Sequence, residues 1–268
     1  MGVFSAARAF LSAPFVRACH ALAFLSRLNV RSADSEDALR VATPWFPLAG
    51  LLLGMLWCAA ACCLFHVVAQ PSRLPSPFPA LLSGWGWLCL SVWVTRGLHW
   101  DGVADVGDAC GSGARDERFW RILRDSRMGA FGGMSLCLGL LGQGICAAAH
   151  IQQAQWLPLA LAPAWSRTAS LWLAATTPPH GDGLLGRIVC AAMTPARLRW
   201  SLLWGLCLAT VATLTGDGAW QRLPFLLLGQ GALHRWFAMT ARRHGGISGD
   251  FLGAYIESSQ LWFLLALI

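Results

Sequence analysis

Asp101, Asp105 and Asp108 stand close together in a chain that is otherwise mostly apolar. Their spacing is i, i+4, i+7, so on a helix they share one face. Three stacked carboxylates repel one another unless a cation sits between them. Carboxylate oxygens suit hard cations, and Mg²⁺ commonly takes one or two carboxylates together with substrate phosphates. The spacing fits two readings: a metal face, or a solvated acidic face answered by nearby arginines. His99 just upstream, and the gaps at Gly102 and Gly107 that would let a ligand approach, favour a site.

Further candidates lie downstream. Arg124-Asp125-Ser126-Arg127-Met128-Gly129 brings arginine forks, which grip phosphate through paired N–H donors. Asp125 reads equally as a metal ligand or as the ion-pair partner of Arg127. Gly245-Gly246-Ile247-Ser248-Gly249-Asp250 could cradle phosphate through backbone N–H groups, with Asp250 reaching a metal, or be an ordinary glycine turn. Arg167 and Glu257 fall inside apolar runs. A charge within a span marks function by default, with a snorkelling arginine as the plain alternative. Glu257 reads as a functional acid or as the partner of an intramembrane arginine. His20, His66, His150 and His180 show no partner spacing and read as loop or packing residues. Walker, nucleophile-elbow and dinucleotide motifs are absent.

The elements that position these residues follow from composition. Of 268 residues, 56% are hydrophobic and 12% charged, with mean hydropathy +0.53. Soluble domains carry about 25% charged residues. An all-α, polytopic membrane bundle is therefore expected, as one domain over 1–268. Spans need roughly 20 mostly apolar residues. About seven are expected: 45–69, 79–95, 132–150, 157–176, 200–215, 223–240 and 251–268. Residues 115–126 place Phe119, Ile122 and Leu123 on one face, as in an interfacial amphipathic helix. Gly50 and Gly54 form a small-xxx-small pair suited to close helix packing.

The net charge of +7 comes from arginine, since lysine is missing. With the N-terminus in the cytoplasm, 1–44, 96–131, 177–199 and 241–250 hold 16 arginines, against Arg73 and Arg222 in the opposite loops. That asymmetry follows the positive-inside rule and puts segment 96–131 at the cytoplasmic face. The first residues do not read as a cleaved signal peptide. No basic stripe with interleaved aromatics points to nucleic acid. The ten cysteines form no CxxC pair and read as small buried hydrophobes. What remains is an acid-and-arginine site at one membrane face, suited to metal-assisted transfer of a phosphate-containing group.

The constellation resembles the adenosylcobinamide-GDP ribazoletransferase family, also called the cobalamin 5'-phosphate synthases. Gly97-Leu98-His99-Trp100-Asp101-Gly102-Val103-Ala104-Asp105-Val106-Gly107-Asp108 looks like that family's G-L-H-x-D-G-x-A-D-x-x-D. Residues 125–132 resemble its D-S-R-x-G-x-F-G, and residues 245–254 its G-G-x-T-G-D-x-L-G-A. Pro47, Gly50 and Gly54 match an early P-x-x-G-x-x-x-G, and Ala162-Pro163 with Ser166-Arg167 a mid-chain motif. Departures are Arg96 and Ala109 in place of glycine, Asn29 for proline, Ser248 for threonine and Gln260 for a second glutamate.

The resemblance implies an inner-membrane enzyme, its site facing the cytoplasm, that closes the nucleotide loop of cobalamin. The 3'-hydroxyl of α-ribazole, or of its 5'-phosphate, attacks the cobinamide-linked phosphorus of adenosylcobinamide-GDP, and GMP leaves. Together with the acid face, this chemistry leads to the expectation of Mg²⁺, with Mn²⁺ as a substitute, on Asp101, Asp105 and Asp108, with Asp250 as a fourth candidate. His99 or a metal-free aspartate then takes the ribose proton, so His99, Asp101, Asp105 and Asp108 are the expected catalytic set. Ser126, Arg127, Arg167 and Gly249 are the expected phosphate contacts. Membrane lipid and other corrinoid-pathway enzymes are the expected partners. A CDP-alcohol phosphotransferase would need D-x-x-D-G-x-x-A-R, whose spacing Asp101-Gly102-Val103-Ala104-Asp105 does not keep. A transporter would gather its polar residues at the bilayer midplane.

Overall fold

The computed structural model describes residues 2–28, 35–70, 74–181, 183–214 and 221–268, with side chains from Pro14 onward. Asn29 and Arg73 lie outside them. Twelve α-helices are described: α1 (Gly2–Leu25), α2 (Glu36–Ala42), α3 (Phe46–Val68), α4 (Phe78–Val94), α5 (Leu98–Gly111), α6 (Asp116–Leu123), α7 (Ala130–Gln152), α8 (Trp156–Thr176), α9 (Leu184–Ala192), α10 (Pro195–Thr213), α11 (Arg222–Arg243) and α12 (Gly249–Ala266). There is no strand among the described residues, only an isolated bridge between Pro179 and Ile247. The all-α expectation holds.

Each of the seven expected spans is a helix, within a few residues at either end. By length and apolarity alone, the described residues supply two membrane-crossing helices, Ala130–Gln152 and the stretch Glu36–Val68, in which α2 runs through a 3-10 turn at Thr43–Trp45 into α3. The pair α4–α5 is a third only if its two bent halves are counted as one. Two of the other expected spans, α8 and α12, fall short for a physical reason. Helix α8 is buried along most of its length, between α3, α10 and α12. A helix packed inside a bundle can turn polar and charged groups toward its protein neighbours, and α8 and α12 carry Arg167, Glu257 and Gln260 in their buried faces.

Backbone contact explains the early glycine pair. A Cβ on Gly50 would lie 2.4 Å from the Pro163 carbonyl oxygen, and one on Gly54 2.1 Å from that of Ala160. Helices α3 and α8 therefore touch backbone to backbone. Around this seam Trp57, Trp87, Trp165 and Phe263 fill one layer of the core. Phe119, Trp120, Ile247 and Phe251 fill a second layer beneath the charged segment. Leu138, Leu228 and Trp200 are more than 70% exposed on the outside, as a lipid-facing surface would have them. The cysteines only partly follow expectation: all ten are free, but just Cys19 and Cys146 are buried, while Cys63, Cys89, Cys137 and Cys207 lie exposed. An apolar solvent tolerates a small thiol on the outer face as readily as a core does.

Between α4 and α5 the chain turns by 91°. Arg96 (φ 60°) and Gly97 (φ 66°) both adopt the left-handed region there, which ends the α4 ladder. Helix α5 thus leaves the α4 axis and carries the aspartates off that span.

Candidate functional site

Helix α5 presents its aspartates as the spacing predicts: Asp101 is exposed, Asp105 and Asp108 are half-buried, and the intervening Gly102, Ala104 and Val106 face inward. Gly102 does not open a ligand gap. A Cβ there would lie 2.5 Å from the Asp250 carbonyl oxygen, and one on Gly253 3.1 Å from the His99 Cα. These glycines let α5 lie directly on α12, which delivers Asp250 to the aspartate face. Gly107 likewise faces α7, where a Cβ would meet the Ser135 hydroxyl at 2.4 Å. The expectation of approach gaps is corrected: both glycines serve helix packing.

Asp250 opens α12 behind the cap Ser248, whose hydroxyl accepts the Phe251 amide N–H and donates to Asp250 Oδ2 at 3.0 Å. Burial, and then the facing charges of Asp101, Asp250 and Asp108, push the Asp105 carboxyl up to about 7. Asp250 is also within electrostatic reach of Arg124. Four acids thus converge, yet among the described residues no three His, Cys, Asp or Glu side chains stand in a metal-holding arrangement.

Asp108 is already engaged. Its Oδ2 accepts the Gly129 amide at 2.6 Å and its Oδ1 the Gly132 amide at 2.8 Å. Gly129, at the N-cap of α7, has no side chain to satisfy the helix's first amides. The α5 carboxylate caps α7 instead, adding favourable charge at the positive end of that helix.

His99 is 5% exposed and its Nδ1 lies 3.2 Å from Glu257 Oε1. From there a buried ring of polar groups closes. Gln143 Nε2 donates to Glu257 Oε2 at 2.9 Å, Gln260 Nε2 to Gln143 Oε1 at 2.9 Å, and Arg167 Nη1 to Gln260 Oε1 at 2.9 Å. Arg167 Nη1 also donates to Ser166 Oγ at 3.0 Å, and its Nη2 lies 3.5 Å from His99 Nδ1. The Arg167 guanidinium sits 5.8 Å from the Trp57 ring centre and is fully buried, so it does not snorkel. A cavity of about 90 Å³ joins His99, Asp101, Gly249 and Asp250.

Beside the aspartates opens a cleft of about 1150 Å³ lined by Arg121, Arg124, Arg127, Arg242 and Arg243, with fewer acids. Two stacks fix its aromatic wall: Trp120 on His180, centroids 3.5 Å apart, and, behind His244, the buried Phe119 at 3.7 Å. Trp120 Nε1 donates to the His244 carbonyl at 2.7 Å. Helix α6 is amphipathic as expected, with Phe119 and Leu123 buried, Ile122 half-buried and Trp120 added. Arg127 forms a two-pronged ion pair with Asp125, at 3.0 and 2.8 Å. That bonding holds the Asp125 carboxyl down to about 2. Ser126 between them is exposed.

The cobalamin-5-phosphate synthase family model matches residues 17–268. The chain belongs to that family. It is 39% identical over 246 residues to an adenosylcobinamide-GDP ribazoletransferase of Nitratidesulfovibrio vulgaris (strain DP4), covering 92% of this chain and 94% of the relative. Proteins of the same name in Thiobacillus denitrificans (34% identical, covering 91% and 92%) and Pseudomonas putida GB-1 (33%, covering 92% and 96%) are similar too. No solved structure matches the chain.

The motifs that carried the synthase-family resemblance meet in space at two levels. Asp101, Asp105, Asp108 and Asp250 form an acid face, while Ser166, Arg167 and Glu257 lie in the buried ring below His99. Arg242, Arg243, His180 and His244 line the cleft and were not singled out from the sequence as a site. A signal existed: Arg242-Arg243-His244 directly precedes Gly245-Gly246. Gln143 carried no comparable signal, being a neutral amide in an apolar run, and Gln260 stood out only as a departure from the family's second glutamate.

Proposed function

We propose that the chain is an adenosylcobinamide-GDP ribazoletransferase that closes the nucleotide loop of cobalamin at the cytoplasmic face of the inner membrane. Family membership over nearly the whole chain supports the reaction class. The observation that carries the site is the convergence of Asp250 on the α5 aspartates beside an arginine cleft.

In the reaction, the 3'-hydroxyl oxygen of α-ribazole bonds to the cobinamide-linked phosphorus. The bridging P–O bond breaks, GMP departs with the electron pair, and the hydroxyl proton passes to a base. Protein catalysis of such transfers rests on placement and charge neutralisation. Arg124, Arg242 and Arg243 bind the guanosine-side phosphate, and Arg127 joins them by exchanging Asp125 for phosphate. The oxygen donors Asp101, Asp105 and Asp250 suit Mg²⁺ or Mn²⁺, and a Asp105 carboxyl pushed up to about 7 marks a group short of positive charge. Bound there, the cation would neutralise the pyrophosphate and the leaving GMP. Asp108 buttresses this face through α7. His99 opens on the same small cavity as Asp101 and Asp250, and is the proposed acceptor of the ribose proton. The test is GMP release by the purified protein, which should require both α-ribazole and a divalent cation. Release without α-ribazole, or undiminished release in chelator, overturns the reading or its metal part, respectively.

A further inference from the structure

Helices α4 and α7 flank a groove of about 770 Å³ that shares no lining residue with the arginine cleft and ends just past the C-terminus of α1. Its walls are apolar: Trp85, Leu88 and Val92 on α4, Leu141 and Ile145 on α7. Trp85, Leu141 and Ile145 are each more than 60% exposed, so the groove opens outward. Along α4 the lining runs from Leu81 to Val92, roughly 16 Å of helix, which is about one leaflet of a hydrocarbon core some 30 Å thick.

Two guanidiniums close one end, Arg27 and Arg96. Arg27 Nε donates to the Trp93 carbonyl at 2.7 Å, and its guanidinium lies 5.5 Å from the Trp93 ring centre. Arg96 Nη2 donates to the Ser26 carbonyl at 3.3 Å. Neither arginine has a carboxylate partner among the described residues. Arg96 moreover holds a left-handed backbone conformation, φ 60°, which glycine adopts freely and arginine only under strain. A guanidinium thus stands where the backbone conformation would suit glycine without strain.

We infer that this groove binds an anionic phospholipid, its acyl chain along Trp85 and Leu88 and its phosphate between Arg27 and Arg96. A neutral apolar solute leaves both guanidiniums unanswered. A free phosphate or nucleotide leaves the leaflet-long apolar wall unfilled. An amphiphile with an anionic head matches both features. The site stands independently of the chemistry assigned to the aspartates, which lie on α5 beyond the 91° turn.

The experiment is native mass spectrometry of the full chain released from bilayers of phosphatidylglycerol and phosphatidylcholine with matched chains. The protein should retain phosphatidylglycerol preferentially. Arg27→Gln and Arg96→Gln should each weaken retention about fivefold, and the two together about thirtyfold. Arg96→Gly removes the guanidinium and the backbone strain together. It should keep or raise the unfolding temperature while losing lipid, which separates site loss from misfolding. Equal retention of the two lipids, retention unchanged in the variants, or displacement of the lipid by inorganic phosphate or GDP overturns the proposal.

Discussion

The acid face and the buried ring beneath it both concentrate charge, and they handle it in opposite ways. Around Asp105 the nearest charges are other carboxylates, and the group is only half-buried. Around Glu257 the partners are His99, Gln143 and, through Gln260, Arg167, and nearly every donor finds an acceptor. The ring is electrically balanced and buried; the face is unbalanced and open. A protein core cannot keep an unanswered charge, so the ring reads as a support that holds His99. The face is stable only with a proton or a cation supplied from outside, which is what a site for metal and phosphate needs.

That contrast can be broken in four ways. The largest effect should come from the ring. Arg167→Met leaves Glu257 without its cation and should destabilise the protein by about 3–5 kcal/mol, read by chemical denaturation in detergent. Adding Glu257→Gln should recover part of the loss; equal or greater damage would mean that the ring is not a charge-balanced unit. Next comes Asp105→Asn, which should lower GMP release about a hundredfold, close to 3 kcal/mol of transition-state stabilisation. Its unfolding temperature should hold or rise, since a repelling charge is gone. Near-normal release at normal expression would sink the metal assignment.

The third effect is one of pH. Asp105 titrates near 7 in the folded protein against 3.8 ordinarily. Without metal, the folded state therefore holds a proton that the unfolded chain releases between those values. Folding stability from this group is highest at low pH and falls as pH rises toward 7. Divalent cation affinity should run the other way, rising about tenfold between pH 6 and 8, measured by Mn²⁺ titration. A flat profile, or the same profile in Asp105→Asn, would remove Asp105 from the metal set. The smallest effect belongs to Asp108→Asn, which weakens the α7 cap and should cost about 1 kcal/mol. If it instead abolishes turnover as fully as Asp105→Asn with the fold intact, Asp108 is a metal ligand as well as a cap.

The aspartate face was legible because helical spacing is a local property, and α5 is a helix over the residues that carry it. The helices were legible because apolar runs are local too. The role of Gly102 was not, since what it meets is the backbone of Asp250, nearly 150 residues away. The cleft was half-legible: Arg124 and Arg127 stood out, whereas Arg242 and His180 reach it only through the stacks of α6 against the loops around Pro179 and Gly245. Arg167 was correctly marked as an unusual charge, but its surroundings depend on two glutamines whose partners lie on other helices.

The backbone seams at Gly50, Gly54 and Gly102 set how far this chain can drift in sequence. At each, any side chain would overlap a carbonyl oxygen that belongs to another helix and has no rotamer with which to move aside. The outward faces at Leu138 and Leu228 ask only for an apolar group of any shape. In a saturation library selected for a working enzyme, the three glycine positions should accept almost nothing, and the outward leucines almost any apolar residue. Contacts between backbones thereby limit the permissible variation of the chain as firmly as the acids that carry the chemistry.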